Sequence, residues 1–312
     1  MDGTPYVVET EGLSKRFGTR LAVDRVDLAI PRGSAFGYLG PNGAGKTTLI
    51  RMLLGLTRPS AGSFRLLGLP QPERRTAALA RVGAIVEEPR FHPFLTGREN
   101  LEIVAAARGS EAHARIGAAL ARVGLEARAR DRVAAYSQGM RQRPGIARCL
   151  LADPELLILD EPMNGLDPAG MEEFRELMRG LVDEGRTVVL SSHLLDEIEK
   201  TCDAVAIVDR GRVVVQGPLS ELTSGGSATV IVRTGDDRAA AAVASAAPGV
   251  AAVTAGADGL KVRLLDGRPE LAIAELNRRL VEASIPVYGL RQEHVSLEQR
   301  FLEITTGLEE AA

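Results

Sequence analysis

Gly40-Pro41-Asn42-Gly43-Ala44-Gly45-Lys46-Thr47-Thr48 carries the spacing G-x-x-x-x-G-K-T and governs how the rest of the chain is read. Gly40, Gly43 and Gly45 permit tight backbone turns, so successive N–H groups across Asn42 and Ala44 can converge on one anion. The apolar run 35–39 before the loop reads as a buried strand, and residues 46–54 behind it have helical spacing. The loop therefore opens a helix, where the dipole and the unpaired amides favour phosphate. Lys46 can reach the β- and γ-phosphates, and the Thr47 hydroxyl, followed by Thr48, can ligate Mg²⁺. The competing reading is an ordinary glycine-rich strand-to-helix turn. The strand and helix context favours ATP or GTP.

The chain has 312 residues, 45% of them hydrophobic and 25% charged, enough for one large domain and a smaller one. A net charge of −3 argues against a general nucleic-acid-binding surface. Of 38 Lys and Arg residues, only 15, 46, 200 and 261 are lysine, so Lys46 stands where a compact point charge is needed. Cys149 and Cys202 lie in unrelated apolar contexts and are expected to be reduced core residues. Residues 1–6 lack a basic start and an apolar run, so no signal peptide is expected. No stretch reaches the ~20 apolar residues that cross a bilayer. If the protein serves a membrane, another chain crosses it.

From residue 7 to 216 short β-rich runs alternate with helical patterns, which predicts an α/β domain with a largely parallel sheet. The clearest strands are 36–39, 82–86, 156–159, 187–190 and 204–208. Residues from about 88 to 150 are mostly helical and read as a subdomain inserted between two strands. These stretches make up a first domain over 1–222, followed by a linker at 223–227, where Thr-Ser-Gly-Gly-Ser has flexible composition. Residues 228–312 then follow a strand-helix-strand-strand-helix-strand order, the ferredoxin-like pattern of a small accessory α+β domain.

A second acidic stretch adds chemistry. Leu156-Leu157-Ile158-Leu159-Asp160-Glu161 is an apolar strand ending in two carboxylates. In open α/β sheets such strand ends line the ligand crevice. Asp160 could hold Mg²⁺ through its water shell, and Glu161 could orient or deprotonate an attacking water. Without Lys46 upstream, two solvated carboxylates would be an equal reading.

Taken in order, the phosphate loop, Tyr136-Ser137-Gln138-Gly139-Met140-Arg141-Gln142-Arg143, the acidic strand, Asn164-Gly165-Leu166-Asp167 and His193 resemble the ATP-binding cassette family over residues 7–222. The C-terminal extension is similar to that of drug- and antibiotic-exporter ATPases, in the pattern of bacitracin-resistance and lantibiotic-immunity subunits. The resemblance implies a P-loop nucleotide-binding domain with a mixed β-sheet core and a helical subdomain. Phe17 would stack on adenine, and residues 43–48 would wrap the phosphates. Ser137 and Gly139 would donate to the γ-phosphate in the partner subunit's site, and Asp167 would contact the partner across the seam. Asp167 reads equally well as a helix N-cap before Pro168. His193 would touch the γ-phosphate and help place the water.

The same resemblance implies MgATP hydrolysis by a head-to-tail homodimer or paired subunit, peripheral at the cytoplasmic membrane face through a separate permease, with no nucleic acid. Residues 90–100, with Phe91 and Phe94, would lie exposed and receive a helix of that permease. A soluble ATPase without transport and a low-turnover nucleotide sensor are the alternatives.

Three positions depart from the family pattern. Glu87 stands where most members carry a Mg²⁺-touching glutamine, unless Glu88 is the equivalent. Gln138 and Met140 alter the signature. Pro144 falls within the helix that follows it, which is expected to bend there or to start later.

Overall fold

The computed structural model describes residues 5–87, 89–223, 229–265, 269–293 and 296–302. The described residues divide into two compact units, one ending at Leu219 and the other beginning at Ser220, and of the expected linker 223–227 only Thr223 is described.

The chain begins with two long strands, β1 (Tyr6–Phe17) and β2 (Arg20–Pro31), paired antiparallel through a turn at Gly18, whose φ is 55°. With β4 (Ala61–Leu66) and β5 (Leu69–Pro70) they make a four-stranded sheet in the order β2-β1-β4-β5. This antiparallel sheet departs from the expectation of strand-helix alternation from residue 7 onward. Burial alternates along residues 24–31 of β2, so one face joins the core, whereas β1 buries the adjacent pairs Val7-Val8 and Leu13-Ser14.

The second sheet has six strands in the order β10-β9-β3-β8-β7-β6. Here β3 is Ala35–Leu39, β6 Val82–Ile85, β7 Leu156–Asp160, β8 Thr187–Ser192, β9 Ala204–Asp209 and β10 Arg212–Pro218. All pairings except the β10 edge are parallel. Every residue of β3, β7 and β8 is buried, as expected for near-continuous apolar strands covered on both faces.

Helix α1 (Lys46–Leu53) lies in a core shared by both sheets. Its Ile50 and Met52 cluster with Val26, Ile30 and Leu66 of one sheet and Phe36, Tyr38 and Ile158 of the other. Each such buried side chain stabilises the fold by ~1.5–3 kcal/mol. After the short α2 (Arg75–Leu79) and β6 comes the helical insert: α3 (Gly97–Arg108), α4 (Ser110–Ala114), α5 (Ile116–Arg122) and α6 (Gln138–Leu150). A capping box opens α3: Thr96 Oγ accepts from the Glu99 amide at 3.1 Å and Glu99 Oε2 from the Thr96 amide at 2.7 Å. α6 runs through Pro144 and starts at the signature, so the proline neither ends nor delays it. α7 (Pro168–Asp183) and α8 (Leu195–Thr201) complete the unit, before α9 (Leu219–Thr223). Gly37 lets α8 approach β3, because a Cβ there would come 2.5 Å from Ile198 Cγ2. Cys149 and Cys202 are buried and unlinked, and burial pushes the Cys149 thiol up to about 11.

The second unit alternates β11 (Thr229–Thr234), α10 (Asp237–Ser245), β12 (Val250–Gly256), β13 (Gly259–Leu264), α11 (Pro269–Glu282) and β14 (Val287–Glu293). Its sheet order, β12-β13-β11-β14, is antiparallel throughout. That is the ferredoxin-like arrangement, with Val230, Val232, Val262 and Leu264 packed with Leu276 and Leu280 of α11.

Candidate active site

Register brings three distant segments to one sheet edge. Leu39 of β3 pairs with Ser192 of β8, and Asp160 of β7 pairs with Ser191. At the same end β3 leads into the phosphate loop, β7 into Glu161 and β8 into His193. That end of an open α/β sheet is where ligands bind.

Close packing explains the loop's glycines. A Cβ on Gly40 would come 2.3 Å from the Val208 carbonyl oxygen, and one on Gly45 2.3 Å from that of Ala22. Gly45 also has φ 101°, in the left-handed region, and serves as the N-cap of α1 without any side-chain cap bond. The first amides of α1 therefore have no intrahelical acceptor and point out of the helix end. A cleft of about 380 Å³ opens there, lined among others by Phe17, Asn42, Lys46, Thr47, Thr48 and Glu161. Ala44 is buried beneath it, and its carbonyl accepts from the Gly211 amide at 3.0 Å. Phe17 is 52% exposed, with the Lys15 ammonium 4.9 Å from its ring centre.

Glu161 is the hub. Its Oε1 lies 3.1 Å from Lys46 Nζ and its Oε2 2.9 Å from His193 Nδ1. Lys46, only 6% exposed, also donates to the Gly40 and Pro41 carbonyls at 2.6 and 3.3 Å. A carboxylate accepting at Nδ1 places the proton on that nitrogen, leaving Nε2 for a further partner. Ser191, given no role by the sequence reading, ties the two acids together. Its hydroxyl donates to Asp160 Oδ1 at 2.5 Å and accepts from the Glu161 amide at 2.9 Å. Glu161 has φ 48°, a left-handed backbone that costs a non-glycine residue roughly 1–2 kcal/mol. Asp160 is buried beneath the cleft.

The other candidate residues stand apart from this cluster. Ser137 caps α6, its hydroxyl accepting from the Met140 amide at 3.3 Å. Gly139 lines a separate cleft of about 310 Å³ between α6 and α7. Asp167 caps α7 through the Gly170 amide at 2.8 Å, with Pro168 in the first turn, so its N-cap reading is realised. Glu87, at φ 62°, has its carboxylate paired with Arg51 of α1 and does not line the phosphate-loop cleft. Glu88 lies outside the described residues. No three His, Cys, Asp or Glu side chains among the described residues group as a metal-ligand cluster.

The ABC transporter family model matches residues 23–164, from β2 through the acidic strand. The bacitracin transport ATP-binding protein BcrA of Enterococcus faecalis is 37% identical over 97% of both chains. The Nod factor export ATP-binding protein I of Ralstonia nicotianae is 36% identical over 97% of this chain and 95% of its own. The solved structure of cbiO1 from Clostridium perfringens, part of the ABC transporter complex cbiONQ, superposes with a TM-score of 0.65. It is 28% identical and covers 70% of this chain and 91% of its own. At these identities over nearly the full length, the chain belongs to the ABC transporter ATP-binding subunits, which bind and hydrolyse ATP.

Proposed function

We propose that this chain energises an exporter of drug-, antibiotic- or peptide-class molecules, with two copies or paired subunits enclosing MgATP. The observation that carries the reading is the junction of Lys46, Glu161 and His193 at the end of three parallel strands. Relatives named for bacitracin transport and Nod factor export support the export class.

In this reading the loop amides and Lys46 hold the phosphates, while Phe17 stacks on the base. Glu161 accepts the proton of the attacking water, and His193 keeps its carboxylate aimed through Nδ1 while Nε2 faces the γ-phosphate. The oxygen donors Thr47 and Asp160 suit Mg²⁺, which when bound neutralises phosphate charge. Glu87 would join that shell only by leaving Arg51. Ser137 and Gly139, at the tip of α6, serve the partner's nucleotide, and Asp167 meets the partner at the seam.

No described helix is long and apolar enough to cross a membrane, so the path for cargo is assigned to a separate permease at the cytoplasmic face. Residues 90–100 form the segment on which that permease docks. Phe94 is 80% exposed there, while the buried Asn100 amide ties the loop from inside, bonding the His92 amide at 2.8 Å and the Thr96 carbonyl at 2.9 Å.

Sedimentation velocity of the Glu161→Gln chain with MgATP tests the pairing. A dimer is expected, and Ser137→Arg should abolish it. A chain that stays monomeric at saturating MgATP overturns the proposal.

A further inference from the structure

We propose that the second unit binds a small soluble oxyanion of the phosphate or pyrophosphate class on the sheet face turned away from its helices. This inference is independent of the nucleotide site.

Because Val230, Val232, Val262 and Leu264 face the helices, Ile231, Arg233, Lys261 and Arg263 must share the opposite face. Pairing sets Arg291 beside Ile231 on one side and Lys261 on the other, with Gly289 opposite Arg233. Four cationic positions thus surround one buried isoleucine. Arg233 and Arg291 are exposed, and neither makes an ion pair or side-chain hydrogen bond with any described residue. Arginines of the neighbouring helix behave differently: Arg278 and Arg279 both bond Glu275 at 2.7 Å.

The glycines beside Arg233 leave room for a ligand. A Cβ on Gly289 would meet nothing within 4 Å, while Gly259 packs close enough that a Cβ would lie 3.2 Å from Arg233 Cγ. The result is a cleft of about 550 Å³ lined by Ile231, Arg233, Asp258, Gly289 and Arg291 among others. Its size suits a small molecule. Two guanidinium forks without acidic partners line this one cleft and can both donate to an oxyanion, in bonds that are charge-assisted and directional. The concave shape disfavours a broad anionic surface such as a membrane, while the Asp258 carboxylate at the cleft opposes any anion and is outweighed by the surrounding cations.

Calorimetric titration of the full chain with sodium pyrophosphate, in saturating ADP so that the phosphate loop is filled, tests the site. One further pyrophosphate per chain is expected. The Arg233→Ala/Arg291→Ala chain should bind it ~10-fold or more weakly, with unchanged melting temperature and ATP turnover. Absence of pyrophosphate binding in the ADP-loaded chain, or equal binding by the double variant, overturns the proposal. So does arginine-dependent capture on phosphatidylglycerol vesicles without pyrophosphate binding, which would assign the face to lipid headgroups. Failure of ADP to bind would count against the first unit alone, since the arginine variant reads the second.

Discussion

Lys46 Nζ lies 3.1 Å from Glu161 Oε1, so the phosphate-loop cation and the acid at the end of β7 neutralise each other across the cleft. The ammonium is also held by the Gly40 and Pro41 carbonyls, a strongly localised position for a side chain with three donors. A bound γ-phosphate would compete for Lys46 and free the carboxylate. Under the proposed function, nucleotide entry and activation of Glu161 are then one event.

Glu161→Gln keeps the shape and removes the charge. ATP turnover should fall by roughly 10²–10⁴, while ATP affinity persists. Lys46→Ala should instead abolish nucleotide binding. Phosphate release and fluorescent-nucleotide titration separate the two, and turnover unchanged in Glu161→Gln would remove Glu161 from the reaction.

His193 Nδ1 lies 2.9 Å from Glu161 Oε2, so under the proposed function their effects on turnover should overlap. His193→Ala is expected to slow turnover in the wild-type background and to add little in the Glu161→Gln background. A double-mutant cycle on phosphate release reads the coupling. Full additivity would mean that the two residues work separately.

The loop glycines should differ in cost. Gly45→Ala forces a Cβ to 2.3 Å from the Ala22 carbonyl oxygen, whereas at Gly43 the nearest atom is Arg20 Nη2 at 3.9 Å. Both have positive φ, so Gly43→Ala should cost about 1–2 kcal/mol of strain alone. Gly45→Ala should cost about 3 kcal/mol or more, with the clash added. Denaturant unfolding measures both.

Glu155 precedes β7 and joins Arg81 and Arg32, its Oε2 lying 2.6 and 3.2 Å from their guanidinium nitrogens. Hydrogen bonds from Arg81 hold its carboxyl below the usual carboxylate range, against partial burial, with Arg32 adding to the effect. A depressed folded pKa gives stability that is present above the unfolded value, about 4.3. That stability is lost as pH falls through the folded value. Unfolding midpoints of wild type and Glu155→Gln should therefore differ at pH 7 and converge in acid. Equal midpoints at pH 7 would remove this contribution.

Much of the site was legible because its parts are local. The glycine spacing, Lys46 and the apolar strand ending in Asp160-Glu161 are each short stretches whose conformation follows from their own residues. Ser191 escaped notice because a serine in a strand carries no signature; only pairing with Asp160 gives it a task. The family resemblance sets Glu87 beside Mg²⁺, whereas in the structure Arg51 holds its carboxylate, and nothing local signals that partner. The resemblance implies a mixed sheet, but the strand-helix alternation expected from residue 7 fails because β1 and β2 pair directly with no helix between them.

The sequence alone determined the phosphate loop, the central parallel strands and the ferredoxin-like order of the second unit. These depend on turn chemistry and hydrophobic period, which act over a few residues. Tertiary structure decided which charges meet. Lys46 finds Glu161, Glu161 finds His193, and Arg233 and Arg291 share a cleft through strand register, which no single segment contains. Ion pairs and hydrogen bonds need atoms within a few ångströms, and only the packed sheet brings residues so distant in sequence that close.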